Sequence, residues 1–172
     1  MSSSGKAHQC GGSEPQFEII DFGQLRLQPV LEGFRYWNAL RGDRPYPARS
    51  EISPRSIAPL LANAIVIRVL SGGEDFEIAI AGDEVVRSYR INILHRRLSE
   101  IAVDLPIVCA WWGSVYRRIA QCGQPCAVKF SSGLDSEMKF ANAETALLPL
   151  GPAGGPVDHI IGFTKRHFVA LG

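Results

Sequence analysis

The sequence predicts an α+β domain: a five-stranded antiparallel sheet with helices on one face, preceded by an amphipathic N-terminal helix. Three observations carry the prediction. A helical apolar stripe near the N-terminus is followed by two short apolar strands, a long helical stripe runs from Pro106 to Gln121 after several shorter helical pieces, and three further strands come last. Strands grouped in this way, without an internal repeat or a strand–helix–strand alternation, make an antiparallel sheet and not a parallel one.

Taken in order, Met1 to Pro15 is rich in Ser and Gly and has no hydrophobic period, so it cannot recover its ordering entropy by burial and is expected to be a disordered tail ahead of a single domain over 16–172. From Leu25 onward, Leu27, Val30, Leu31, Phe34 and Trp37 recur at helical spacing with Arg26, Glu32 and Arg35 between them, which predicts a helix over 25–40. Pro29 fits its first turn, where a missing N–H costs nothing. Residues 41–54, RGDRPYPARSEISP, carry three prolines and read as an extended surface segment. Ser53-Pro54 then opens a short helix whose buried side is Ile57, Leu60 and Leu61.

The core of the domain is expected over 57–168. Ala64 to Leu70 (AIVIRVL) and Phe76 to Ala81 (FEIAIA) flank a Ser-Gly-Gly-Glu-Asp turn and predict a hairpin. Gly82-Asp83 breaks the second strand, and a short helix with Val85, Val86 and Tyr89 follows, then a second helical piece over His95 to Ile101. In the long helix Val108, Trp111, Trp112, Val115 and Ile119 form a wide apolar stripe, and Gly123 is placed to end it. Strands over Cys126 to Ser131, Glu137 to Leu150 and Val157 to Lys165 complete the sheet, joined by loops at Ser131 to Ser136 and at GPAGGP.

Composition narrows the function. A chain of 172 residues with 46% hydrophobic and 20% charged residues has enough apolar material for one core. Eighteen basic side chains nearly cancel seventeen acidic ones, which removes the positive field that binds a phosphate backbone, so no nucleic acid is expected. No run approaches a membrane span and the first residues lack a signal peptide's apolar region, which predicts a cytoplasmic protein without membrane insertion. Four cysteines, dispersed as Cys10, Cys109, Cys122 and Cys126, do not make a disulfide framework.

The element order resembles the PAS fold, in which two strands precede the helical segment and three follow, and a small ligand or cofactor sits between long helix and sheet. The resemblance covers Leu25 to Phe168 and sharpens at Trp37, Arg41-Gly42, Arg44, Pro47, Arg49, Ile52 and Pro54, then Leu60-Leu61, Asp75-Phe76, Ala81-Gly82, Glu144 and Leu148-Pro149-Leu150. Together these are similar to a bacterial PAS family found mainly in alphaproteobacteria as short stand-alone proteins. The chain departs from that pattern at Ser88-Tyr89-Arg90, where the family has a glycine near the end of the short helix. The resemblance implies a sensory or regulatory role in signal transduction, with no output domain of its own and with no particular ligand.

Specific chemistries are then weighed on the residues. Haem needs a histidine on a helix lining the cavity, but the long helix has none and His95 stands beside Arg96-Arg97 as a polar surface residue. Flavin photochemistry needs a cysteine in an Asn-Cys-Arg-Phe-Leu type of helix, which is absent, so no cofactor is expected. Cys122 and Cys126 are spaced by three residues, which is not the zinc-knuckle pair, and no second pair completes a metal site. His159 and His167 read as solvent-facing. No nucleophile elbow, phosphate loop or metalloprotease helix occurs, so the chain is not expected to be an enzyme. The alternative is a small lyase- or isomerase-like enzyme using one buried carboxylate, Asp104 or Glu144.

Trp111, Trp112 and Tyr116 offer apolar area with one polar tip apiece, which suits a pocket, although a tryptophan pair in a small domain is ordinarily packing. The small residues Ala141, Ala143 and Thr145 leave room opposite that helix. The candidate ligand-binding residues are therefore Tyr89, Trp112, Tyr116 and Phe130. Arg41, Arg44, Arg49 and Arg55 read as a solvated cluster paired with acids such as Asp43 and Glu51. The expected partners are a small-molecule ligand, a signalling protein, and a second copy of the chain. The N-terminal helix stands outside the five-stranded unit, and its stripe of Leu27, Val30, Leu31, Phe34 and Trp37 must be covered either by folding back on its own sheet or by a second copy, of which the homodimer is the expected outcome. A third reading is a purely structural dimerisation module with a filled core.

Overall fold

Apolar residues run almost unbroken through the last strands, TALLPL and HIIGF, and strands of that composition have to be covered on both sides. The computed structural model, which describes residues 16–131 and 142–167, shows that they are. Its strands are β1 (Gln16–Ile20), β2 (Ala64–Leu70), β3 (Asp75–Ala81), β4 (Cys126–Ser131), β5 (Asn142–Leu150) and β6 (His159–His167). They form one six-stranded sheet in the order β1-β4-β5-β6-β2-β3, every neighbouring pair antiparallel. The helices are α1 (Gln28–Arg41), α2 (Asp83–Val86), α3 (Leu98–Ile101) and α4 (Pro106–Cys122).

Two features of the expected architecture are corrected. The sheet has a sixth strand, because Gln16–Ile20 adds to the edge with Gln16 opposite Ser131 and Ile20 opposite Ala127. Five residues without clean alternation carry no strand signal of their own; the neighbouring strand supplies it. Helices also lie on both faces. One core cluster, with Ile67, Phe76, Val115, Ile119, Val128, Leu147 and Ile160, lies on the α4 side, and a second, with Val30, Trp37, Ala146, Leu148, Ile161 and Phe163, lies on the α1 side. Consecutive residues such as Leu147 and Leu148, or Ile160 and Ile161, enter opposite cores, as a period of two requires.

Helix α1 therefore covers its own sheet. Val30 and Trp37 are fully buried, and Trp37 Nε1 donates to Pro149 O at 2.9 Å. Gly33 lets the helix settle on Phe163, since a Cβ there would collide with that ring. The N-terminal amides of Arg26 and Leu27 donate to Glu144 Oε2 at 2.8 and 3.0 Å, and Arg44 caps the other end by donating to Leu40 O and Arg41 O at 2.8 and 3.0 Å. The homodimer expected through this helix presupposed an uncovered stripe. β5 and β6 of the same chain bury Val30 and Trp37 and leave Leu27, Leu31 and Phe34 half-buried, so the stripe is not the uncovered one that expectation presupposed.

Local structure elsewhere follows the expected elements with some shifts. The extended 41–54 segment is held by a two-bond pair of Arg44 with Glu51, at 2.9 and 2.8 Å, as the solvated-cluster reading had it for that arginine. The short helix after Pro54 is a 3-10 segment, Ala58–Asn63, in which three residues per turn set Ile57 and Leu60 on the buried side and leave Leu61 outward at 41% exposure, correcting its expected burial. Gly123 ends α4 in the left-handed conformation, its N–H donating to Ile119 O at 2.8 Å. The expected disordered tail, the 137–141 part of the expected strand, Ala141, most of the Ser131–Ser136 loop and Phe168 lie outside the described residues.

Candidate functional site

Beneath α4 the period of β4, β5 and β6 sends Phe130, Ala143, Thr145, Thr164 and Arg166 to one side of the sheet. With Tyr89, just after α2, and Trp112 of α4, they line a narrow void of about 10 Å³. That is room for about one water molecule. Three of the four residues expected to bind ligand, Tyr89, Trp112 and Phe130, thus share one wall. The fourth, Tyr116, stands behind it and stacks on Trp112 with ring centroids 5.7 Å apart. Phe17 of β1 extends the aromatic layer, lying 4.1 Å from Trp111 and 4.4 Å from Phe130.

The polar part of the wall is built from the small residues. Thr145 and Thr164 share a hydrogen bond of 2.8 Å between their hydroxyls, and Asn63 Nδ2 holds the backbone of Thr164 at 2.9 Å. The Arg166 guanidinium lies 5.9 Å from the Tyr89 ring and donates to Glu84 O at 3.1 Å. Burial lowers the Arg166 pKa, opposed by Tyr89, Tyr116 and Glu84. Burial also pushes both phenols up, Tyr116 the further, so each remains a neutral O–H donor. The void therefore combines aromatic faces, two hydroxyls and a cation.

Sequence reasoning had singled out Ala143 and Thr145 for the space they leave, and both line the void. It missed Thr164 and Arg166, although a signal existed: counting by twos from Ile160 through Gly162 reaches both. The carboxylates considered for catalysis lie elsewhere. Asp104 is half-exposed and 3.4 Å from Arg96, and Glu144 is on the α1 face, occupied by the two amides that begin that helix. His95 is exposed, in a left-handed backbone conformation with its N–H donating to Ile78 O at 2.8 Å, outside the void's lining. Cys109 and Cys126 are buried and Cys122 exposed, and among the described residues no three His, Cys, Asp or Glu side chains are grouped to hold a metal. Nor is any described helix long and apolar enough to cross a membrane.

An antiparallel sheet with a long helix laid across one face and a small polar and aromatic void between them defines a small α+β module. A family model described as PAS domain matches residues 26–165, and the chain belongs to that family. No curated protein and no solved structure matches it. PAS domains in general serve sensory or regulatory roles, and that role extends to this chain at the level of the family.

Proposed function

We propose that the protein is a cytoplasmic sensory module that binds a small ligand between α4 and the sheet and passes the outcome to a signalling partner. The observation that carries the reading is the mixed wall of Tyr89, Trp112, Phe130, Thr145, Thr164 and Arg166 around a narrow void. A wall serving only as packing has no need of paired buried hydroxyls with a half-buried guanidinium beside them, since buried polar groups cost stability unless they are hydrogen-bonded. At about 10 Å³ the void does not hold an organic ligand as it stands, so binding selects a conformation in which α4 or the α2–α3 segment stands further from the sheet. The role is non-catalytic: Glu144 is engaged as a helix cap and Asp104 lies near Arg96 at the surface.

The small volume favours a second reading, a filled module that acts only through its surface. Native mass spectrometry of the protein purified from its own host separates the two. Retention of a small molecule, lost on Trp112→Ala or Thr164→Val substitution in a folded protein, is the expected result. A bare chain mass, with no thermal shift from any member of a metabolite library, would overturn ligand sensing.

A further inference from the structure

Away from this void, a groove of about 170 Å³ runs between β1, the segment after it, and the C-terminal turn of α4. Its walls include both Cys122, the last residue of α4, and Cys126, the first of β4, with Arg118 and Asp21 beside them. Only Gly123, Gln124 and Pro125 separate the two thiols in sequence. Cys122 is exposed while Cys126 is 8% exposed, so an oxidant meets the first and the second is held in reserve. We propose that Cys122 and Cys126 form a reversible disulfide across the α4–β4 turn, with a hydroperoxide as the oxidant.

The chemistry balances in two steps. The Cys122 thiol attacks the distal oxygen of the hydroperoxide, the O–O bond breaks, and a sulfenic acid and an alcohol (water, for hydrogen peroxide) result. The Cys126 sulfur then attacks the Cys122 sulfur, the S–O bond breaks, and hydroxide leaves to take up the Cys126 proton as water. Two thiols have lost two electrons and the hydroperoxide has gained them. Arg118 supports the second step by favouring the Cys126 thiolate against the burial that raises its pKa and the neighbouring Cys122, which raises it too. A disulfide requires Cα atoms roughly 4.4–6.8 Å apart. Opening of the last turn of α4 would give Cys122 the freedom to reach such a spacing, and Gly123, already left-handed at φ 65°, is the residue best able to absorb the change. The bond would tether the end of the helix that carries Trp112 and Tyr116, which joins oxidation to the site beneath α4.

The experiment treats the full chain with hydrogen peroxide, blocks remaining thiols, and maps tryptic peptides. Both cysteines fall in the one peptide from Ile119 to Lys129. The expected product is that peptide lighter by two hydrogens and without blocking groups, restored by dithiothreitol. In Cys126→Ser the Cys122 sulfenic acid should persist and be captured by dimedone, while Cys109 stays reduced in both proteins. Peroxide treatment that leaves both thiols free, drives Cys122 on to sulfinic acid in the wild type, or joins Cys122 to Cys10 or to a second chain, would overturn the proposal.

Discussion

Trp37 shows what one side chain decides. Its ring fills the α1 core, Arg41 lies over it at 5.3 Å, and its Nε1 reaches the carbonyl of Pro149. Pro149 stands in β5 beyond Leu147, the partner of the first residue of β4, so the indole takes a carbonyl that lies past the end of that ladder. Trp37→Phe keeps most of the apolar area and abandons a buried carbonyl. The expected loss is about 1–3 kcal/mol, read as a lower midpoint in urea with an unchanged slope; stability equal to wild type would show that water replaces the indole. Glu144 is the corresponding case for a charge. The sequence offered it only as one of two carboxylates for an alternative enzyme, yet the structure gives it the amides of Arg26 and Leu27 to accept from, a task without a sequence signature because those amides come from residues more than a hundred positions earlier.

For whole elements, helix α1 is the informative case. Its heptad-like stripe was legible, its boundaries nearly so, and its destination was not. The stripe fixes which side is buried and leaves open what buries it. The clue lay in β5 and β6, whose unbroken apolar runs demand two covered faces, while one long helix and two short ones can cover a single face. Gly33 is part of that docking: Gly33→Ala removes backbone freedom from the unfolded chain yet drives a methyl into Phe163. The collision should win, lowering stability by about 1–3 kcal/mol as overpacking does, and a thermal melt at or above the wild-type temperature would refute this account of the α1–sheet contact. Polar replacement of Phe34 and Trp37 should unfold the chain and not release a folded monomer. The void, by contrast, was half legible: aromatic types and small residues pointed to it, whereas Arg166 fell one residue past the strand end expected at Lys165, and the observed strand runs on to His167.

Over the whole molecule, acid should act first where the long connection is pinned. The Arg44 guanidinium, with the Ala48 amide, holds Glu51 at about 2, against an ordinary 4.5. Burial would raise Asp75, but the Ser99 hydroxyl and the amides of Phe76 and Ser99 outweigh it and hold it low. Both carboxylates bind protons less readily folded than unfolded, so their stabilisation is complete above the ordinary carboxylate range and drains as pH falls through it toward about 2. Glu51→Gln should flatten the stability profile in that window, measured by denaturation at a series of pH values; an unaltered slope would remove Glu51 from the account. The strand order has a different consequence, in time. In β1-β4-β5-β6-β2-β3 the innermost strands are the last to be synthesised, and β1 finds its partner only after Cys126 has emerged. The β2–β3 hairpin is local and quick to close, but every other pairing of β1 and β2 spans most of the sequence and waits on loop closure. The sheet is finished from its middle, so a nascent chain lacking β6 has two strand groups, β1-β4-β5 and β2-β3, with no ladder between them.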